Sequence, residues 1–253
     1  MKKTCFLLLF LAIGFIVANG QTKPRVYFVA AKSGISLREK PDLSAKAIDK
    51  IPYGEKISTT IAEGANEITV EGFKANWVTV SYKGKTGFIV DAFLFNVVPP
   101  KTGTKDLKAY LLQVTQPFSV PLKVSRQGAF EEDMSVVEKQ LYKNGAERQL
   151  YHFYESGAEI CMMPGFSIPQ AFQLLRLLPE YKECVGEHDP FPLKNDSLKT
   201  DKIDKSVKVY GENIGDNSFF VDRIKMDLTH DIYYGLELFI LGDQVVINYS
   251  SGI

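Results

Sequence analysis

Trp77-Val78-Thr79-Val80-Ser81-Tyr82-Lys83-Gly84-Lys85-Thr86-Gly87-Phe88-Ile89-Val90 is the stretch on which the reading of the fold turns. Residues 77–82 alternate as a strand with two distinct faces does. Lys83-Gly84 is a hairpin turn signal, and Thr86 to Val90 returns as a second strand. Towards the N-terminus the same grammar repeats. Val26–Val29 forms a strand, Ser33-Gly34 turns into Ile35–Arg38, and Lys40-Pro41-Asp42 is a loop. Ala47–Ile51 and Lys56–Ile61 follow, separated by Pro52-Tyr53-Gly54. Many short strands with frequent turn signals predict a small barrel or sandwich between Arg25 and Val98. Leu37, Ile48, Ile51, Ile57, Val78, Val80 and Ile89 would supply its core. Gly54, Gly84 and Gly87 would supply backbone angles that side chains forbid.

Three ordered landmarks in this segment resemble the bacterial SH3 (SH3b) domain. Ile35-Ser36-Leu37-Arg38-Glu39-Lys40-Pro41 is similar to the family's N-L-R-x-x-P opening, and Ile51-Pro52-Tyr53-Gly54-Glu55 to its glycine turn. Trp77–Val80 with Gly84–Ile89 resembles its closing W-V-x-V…G-x-x-G-W-V hairpin. The resemblance implies an SH3-like β-barrel that contacts cell-envelope material, with peptidoglycan or its stem peptides as ligand. Arg38 falls where the family has an arginine and reads as a structural pairing residue. Tyr53, Phe73, Trp77 and Tyr82 are the exposed-aromatic candidates for a ligand groove, and for each of them barrel packing is the favoured reading. Ser36 and Phe88 depart from the family's usual asparagine or valine and tryptophan. Glu63–Asn76 is a longer insertion before Trp77 than the family carries, placed to alter or cover a groove.

Upstream of the barrel, Met1-Lys2-Lys3 precedes an apolar run from Cys5 to Ala18, and Ala18-Asn19-Gly20 has a small residue at each end. A basic start, a short apolar core and a small-x-small exit predict a signal peptide over residues 1–20 and an exported, periplasmic or extracellular product. The apolar run is shorter than the ~20 residues needed to span a bilayer, and no later stretch is long and apolar enough to do so. The protein has 30 basic and 30 acidic residues in all. Residues 110–253 carry 14 basic and 21 acidic side chains, a balance of −7. Such a surface argues against a nucleic-acid partner. Cys161 and Cys184 remain after signal removal, either as a disulfide suited to an oxidising compartment or as two buried free thiols.

Downstream, Pro99–Thr104 reads as a linker within 99–106, and residues 107–253 as a strand-rich α+β domain with one main helix. Phe118, Val120, Leu122 and Val124 alternate with polar residues and Pro121, which predicts a half-exposed edge strand. Asp133–Tyr142 fits a helix or a strand, and Gln149–Glu155 with Ala158–Met163 fits a hairpin. Ser167 and Gln170 form a capping box before Ile168, Ala171, Phe172, Leu175 and Leu178 at helical spacing, and Pro179 ends the helix. Residues 186–206 read as a long surface loop. Ile224, Met226 and Leu228 alternate with charged residues, and Gly242-Asp243 marks a tight hairpin.

No catalytic phrase stands out. Papain-like wall peptidases need a cysteine at a helix start, whereas Cys161 lies in an apolar, strand-like context and Cys184 follows the helix. Neither context fits a nucleophile, and Cys161 with His152 is set aside as a nucleophile–base pair. Glu187-His188-Asp189 is compact but reads as a solvated turn, and no cofactor or metal is implied. The leading expectation is a non-enzymatic exported binding protein. The rivals are a cell-wall hydrolase whose catalytic half is 107–253, and a protein–protein adaptor in the envelope.

Overall fold

Alternation and tight turns pair the N-terminal strands as the pattern requires. A computed structural model describes residues 25–61, 67–126, 135–214 and 219–253. The proposed signal peptide lies outside the described residues. The first strands are β1 (Arg25–Val29), β2 (Ile35–Arg38), β3 (Ala47–Ile51), β4 (Lys56–Ile61), β5 (Ile68–Val70), β6 (Phe73–Ala75), β7 (Trp77–Tyr82), β8 (Lys85–Val90) and β9 (Leu94–Phe95). Seven form an antiparallel SH3-like barrel sheet in the order β3-β2-β8-β7-β4-β1-β9, while β5 and β6 form a separate hairpin. Its core holds Leu37, Ile51, Ile57, Val78, Val80 and Ile89 as expected, with Ile48 packed at its margin. Lys83 and Gly84 both take positive φ, 49° and 75°, the combination a two-residue type I′ hairpin turn demands. Gly87 has a different reason to be glycine. A Cβ there would stand 2.5 Å from the Arg38 carbonyl oxygen of the neighbouring strand. Arg38 itself donates from Nη1 to the Ala45 carbonyl at 2.6 Å, the structural part expected of it.

The rest of the chain forms α1 (Leu107–Val114), β10 (Leu122–Arg126), β11 (Ser135–Leu141), β12 (Glu147–His152), β13 (Ser156–Pro164), α2 (Ile168–Arg176), β14 (Asp196–Lys199), β15 (Asp204–Asn213), β16 (Phe219–Thr229), β17 (Tyr233–Leu241) and β18 (Gln244–Gly252). Nine strands make one antiparallel sheet in the order β10-β11-β12-β13-β18-β17-β16-β15-β14. The chain is thus mainly β, a barrel followed by a strand-rich α+β unit. Ser167 caps α2 with Gln170 in the expected reciprocal box. The 133–142 ambiguity resolves to strand β11 over its described part. Helix α1 has no counterpart among the expectations. Asp106 caps it, accepting from Ala109 N at 2.7 Å.

One face of the nine-stranded sheet, with Cys161, Met163, Ile224, Leu236, Leu238 and Ile247, packs on α1 and α2. Ala30, Phe73 and Phe95 of the barrel segment belong to that same apolar cluster. Residues 99–106, read as a linker, run along this junction. Pro99 and Pro100 are buried. Gln113 of α1 donates to the Pro99 carbonyl at 2.9 Å and accepts from Lys101 N at 2.8 Å.

Three expectations need correction. Strand β10 is at the sheet edge, but among the described residues nothing covers either side of it. Leu122 is 62% exposed, and Phe118 and Val120 before it are 71% and 86% exposed. Residues 186–206 are not a free loop, because Phe191 is buried in the main core and β14 pairs with β15. Cys161 and Cys184 form no disulfide; both are buried free thiols. Their surroundings differ: Cys161 sits by Glu159 and Arg148, Cys184 by Lys205 and Asp227. Burial pushes the Cys161 thiol well up and the Cys184 thiol to about 12.

Beneath α1 lies a buried polar cluster. Arg148 Nε donates to Glu159 Oε1 at 2.5 Å, and Tyr181 OH donates to Glu159 Oε2 at 2.6 Å. Tyr181 OH accepts from Leu107 N at 3.2 Å, which ties the start of α1 to the sheet. Removing one partner from such a pair strands a buried charge. Arg148→Met is therefore expected to lower unfolding stability by about 3–5 kcal/mol in a urea titration.

Burial also raises the phenols, Tyr53 and Tyr233 to about 12 and Tyr110, Tyr181 and Tyr249 further. An unfolded tyrosine ionises near ~10. The folded chain therefore holds these protons more tightly, and their stabilisation is complete below about pH 10. It is lost as pH rises from there through 12, the folded value of Tyr53 and Tyr233. Tyrosinate absorbance and circular dichroism should change together in that window. Ionisation of all twelve tyrosines at the ordinary pH with the fold intact would contradict the burial.

Candidate functional site

The β5–β6 hairpin belongs to the insertion before Trp77, and its tip meets the C-terminal half. Gly72 has φ +79°, and a Cβ there would stand 2.1 Å from the Phe191 carbonyl oxygen. No residue but glycine fits both conditions. Beside it, the Glu71 carbonyl accepts from Phe191 N at 2.8 Å. Phe73 then packs its ring against Phe93, Phe172 and Phe191, at centroid distances of 5.7, 6.1 and 5.3 Å.

Next to this cluster the barrel and α2 enclose a cleft of about 300 Å³. One wall is the barrel loop Ala31–Ser36 with Arg38 and Leu43. Val70 and Glu71 of the hairpin and Trp77 form a second. Gln173, Arg176, Leu177, Glu187 and His188 of the C-terminal half form the third. Arg176 organises that wall. Its side chain is only 6% exposed. Nη2 donates to Glu71 Oε2 at 2.7 Å, Nη1 to Gln173 Oε1 at 3.0 Å and Nε to the Glu187 carbonyl at 2.8 Å. A buried guanidinium is tolerated only with its donors satisfied in this way. Lys32 Nζ lies 3.0 Å from Glu187 Oε2, and this bond holds the Glu187 carboxyl below its usual range. Gln173 Nε2 also reaches the Ala30 carbonyl, at 3.4 Å. The cleft thus offers an apolar floor around Trp77, Ile35 and Leu177, with charges of both signs at its rim.

The four aromatic candidates do not converge there. Only Trp77 borders the cleft, and it is 3% exposed, packed with Ala75 and Val90 beneath the hairpin. Phe73 is 1% exposed at the centre of the aromatic cluster. Tyr82 is buried in the barrel core, with Lys83 Nζ 5.0 Å from its ring centroid. Tyr53 points elsewhere and donates its OH to the Pro100 carbonyl at 2.6 Å. Burial therefore corrects the exposure expected of Phe73, Trp77 and Tyr82. Glu71, Gln173, Arg176 and Lys32 carry the cleft instead. Gln170, Gln173 and Arg176 recur every third residue of α2, the one sequence signal of a second, polar stripe on that helix.

Among the described residues Cys161 and His152 are not brought together. His152 pairs with Gly157, whereas Cys161 lies opposite Arg148, four residues or roughly 13 Å along the strand. The Glu187-His188-Asp189 trio does not stay together either, since Glu187 and His188 line the cleft and Asp189 does not. Glu187 turns to Lys32, and Asp189 accepts from Gly186 N at 2.9 Å.

Gly72→Ala is the sharpest test of the junction. It should cost at least about 1–3 kcal/mol and lower the thermal midpoint. A variant as stable as the parent would show that the hairpin tip is not seated on Phe191.

The comparisons with known proteins agree with this geometry over the barrel. Residues 33–94 match the family described as Bacterial SH3 domain. No curated protein and no solved structure matches the chain. The match covers residues 33–94, which the structure extends by β1 into an SH3-like barrel, and no other family is found for the rest of the chain.

Proposed function

We propose that this is an exported, non-enzymatic binding protein that holds cell-envelope material, peptidoglycan or its stem peptides, in the cleft between barrel and α2. The observation that carries the reading is the makeup of that cleft. An apolar floor beside Trp77 is rimmed by Lys32, Arg38 and His188 and by Glu71 and Glu187. Stem peptides carry free carboxylates and amines on a short aliphatic backbone, which such a rim complements. The sequence of residues 1–20 supports export. No helix among the described residues is long and apolar enough to cross a membrane. Binding would need both halves, since Glu187 and His188 come from outside the bacterial SH3 domain.

Retention of the full mature chain, residues 21–253, on purified sacculi tests this. Lys32→Glu combined with His188→Ala should reduce retention at least five-fold and leave the melting profile in place, since both side chains lie at the exposed rim. No retention of the parent chain, or equal retention of the double variant, would overturn the assignment.

The second reading, an envelope adaptor, has one observation in its favour. Strand β10 presents a bare edge with exposed Leu122 and Val124, a place where an extended segment of another protein can pair. Co-purification of a protein partner lost on Val124→Pro, together with absence from sacculi, would favour it.

A further inference from the structure

A second cavity lies away from the cleft, at the far end of the nine-stranded sheet. The segment Asp189–Lys194 crosses the core-facing side of β15 and β16 and leaves about 710 Å³ beneath it. Its roof is the strap Pro190-Phe191-Pro192-Leu193, its floor Val207 and Met226, and its outer edge Leu198. The strap is fixed at both ends. Phe191 N donates to the Glu71 carbonyl at 2.8 Å, and its ring sits in the aromatic cluster. Asn195 Oδ1 accepts from Val209 N at 2.8 Å. Pro192 stiffens the span between them, and Pro190 stiffens the approach to Phe191. A strap pinned in this way cannot fall onto the sheet to fill the space, so the groove is preformed. Phe191, Leu193, Leu198, Val207 and Met226 make most of the lining apolar, with Asp189 and Asp196 and two lysines also on it; a mostly apolar volume of roughly 300–1,000 Å³ is the ordinary character of a small-molecule site.

Lys205 lies at this groove. It stands opposite Leu228, so it projects from the core-facing side, and its side chain is 35% exposed. Its Nζ is 3.9 Å from Asp189 Oδ2, the same oxygen that accepts from Gly186 N at 2.9 Å. Among the described residues no hydrogen bond to Lys205 Nζ is found. A cation without a hydrogen-bonded partner beside an apolar channel suits a ligand with one anionic group and an aliphatic tail.

We infer that this groove binds a single-chain anionic amphiphile, the tail lying between the strap and Met226 and the head on Lys205. The inference is independent of the wall-binding reading, since no residue lines both cavities. The head chemistry is shared by free fatty acids and by phosphate-bearing lipids.

Titrating the full mature chain with laurate, dodecyl phosphate and dodecyltrimethylammonium, each below its micelle concentration, tests it calorimetrically. At least one anion should bind with a stoichiometry of one, at least ten-fold tighter than the cation. The tighter anion identifies a carboxylate or a phosphate source. Lys205→Glu should weaken the anion at least ten-fold, and Val207→Trp should abolish binding by filling the floor. Leu193→Asp, in the roof of the groove but 43% exposed and so tolerable to the fold, should weaken all tails and keeps the test decisive if Val207→Trp fails to fold. Binding of the cation as tight as the anions, or anion binding unchanged in Lys205→Glu or Leu193→Asp, would overturn the inference. So would no binding of either anion.

Discussion

Helix α2 meets almost no water, and that constraint organises the molecule. Ile168, Phe172, Leu174 and Leu175 are buried, and so are Gln173 and Arg176 on the polar side. Each large apolar side chain contributes about 1.5–3 kcal/mol on burial. A helix with a single apolar stripe needs one surface to lie on. This one needs two, because its polar side would otherwise bury an unpaired guanidinium. The sheet takes the apolar side. The barrel and its hairpin supply the second surface, through the Ala30 carbonyl, the Leu94 carbonyl and the Glu71 carboxylate. Barrel and sheet are joined through the helix between them as much as through the chain that connects them.

The insertion of the β5–β6 hairpin acquires its meaning from that arrangement. It roofs Trp77 with Ile68, Val70 and Ala75, so the tryptophan of the closing barrel hairpin is not a platform open to solvent. It also brings Glu71 to Arg176 and presses Gly72 against Phe191. The same contacts create both cavities. The cleft opens where the hairpin, the barrel loop and α2 fail to close on one another. The groove opens where the strap, held up by Phe191, stands off the sheet. Phe191 thus sets the geometry of two sites it barely exposes itself to.

Much of the barrel was legible because its determinants are local. The Lys83-Gly84 turn, the alternation of residues 77–82 and the Ser167–Gln170 capping box each act within a few residues. The edge position of β10 was readable from Pro121, but its nakedness was not, since alternation cannot say whether a second layer exists. Helix α1 was legible in principle: Asp106 precedes apolar Leu107, Tyr110, Leu111 and Val114 at helical spacing. It was hidden by its position directly after a Pro- and Gly-containing stretch that reads as flexible. The candidate site was scarcely legible. Aromatic residues near a predicted groove were the candidates on offer, and three of the four serve as packing, the favoured reading of each.

The sequence by itself determined the strand periods, the turns, the helix cap and the family of residues 33–94, because each depends on neighbours along the chain. Only the tertiary structure decided that the two halves share a core, that Cys161 and Cys184 stay apart, and that Lys32, Glu71, Arg176 and Glu187 meet. Those residues are separated by up to 155 positions, from Lys32 to Glu187. Whether such distant side chains touch depends on how the layers stack. That is set by the burial of α2 on both sides and by no single stretch of sequence.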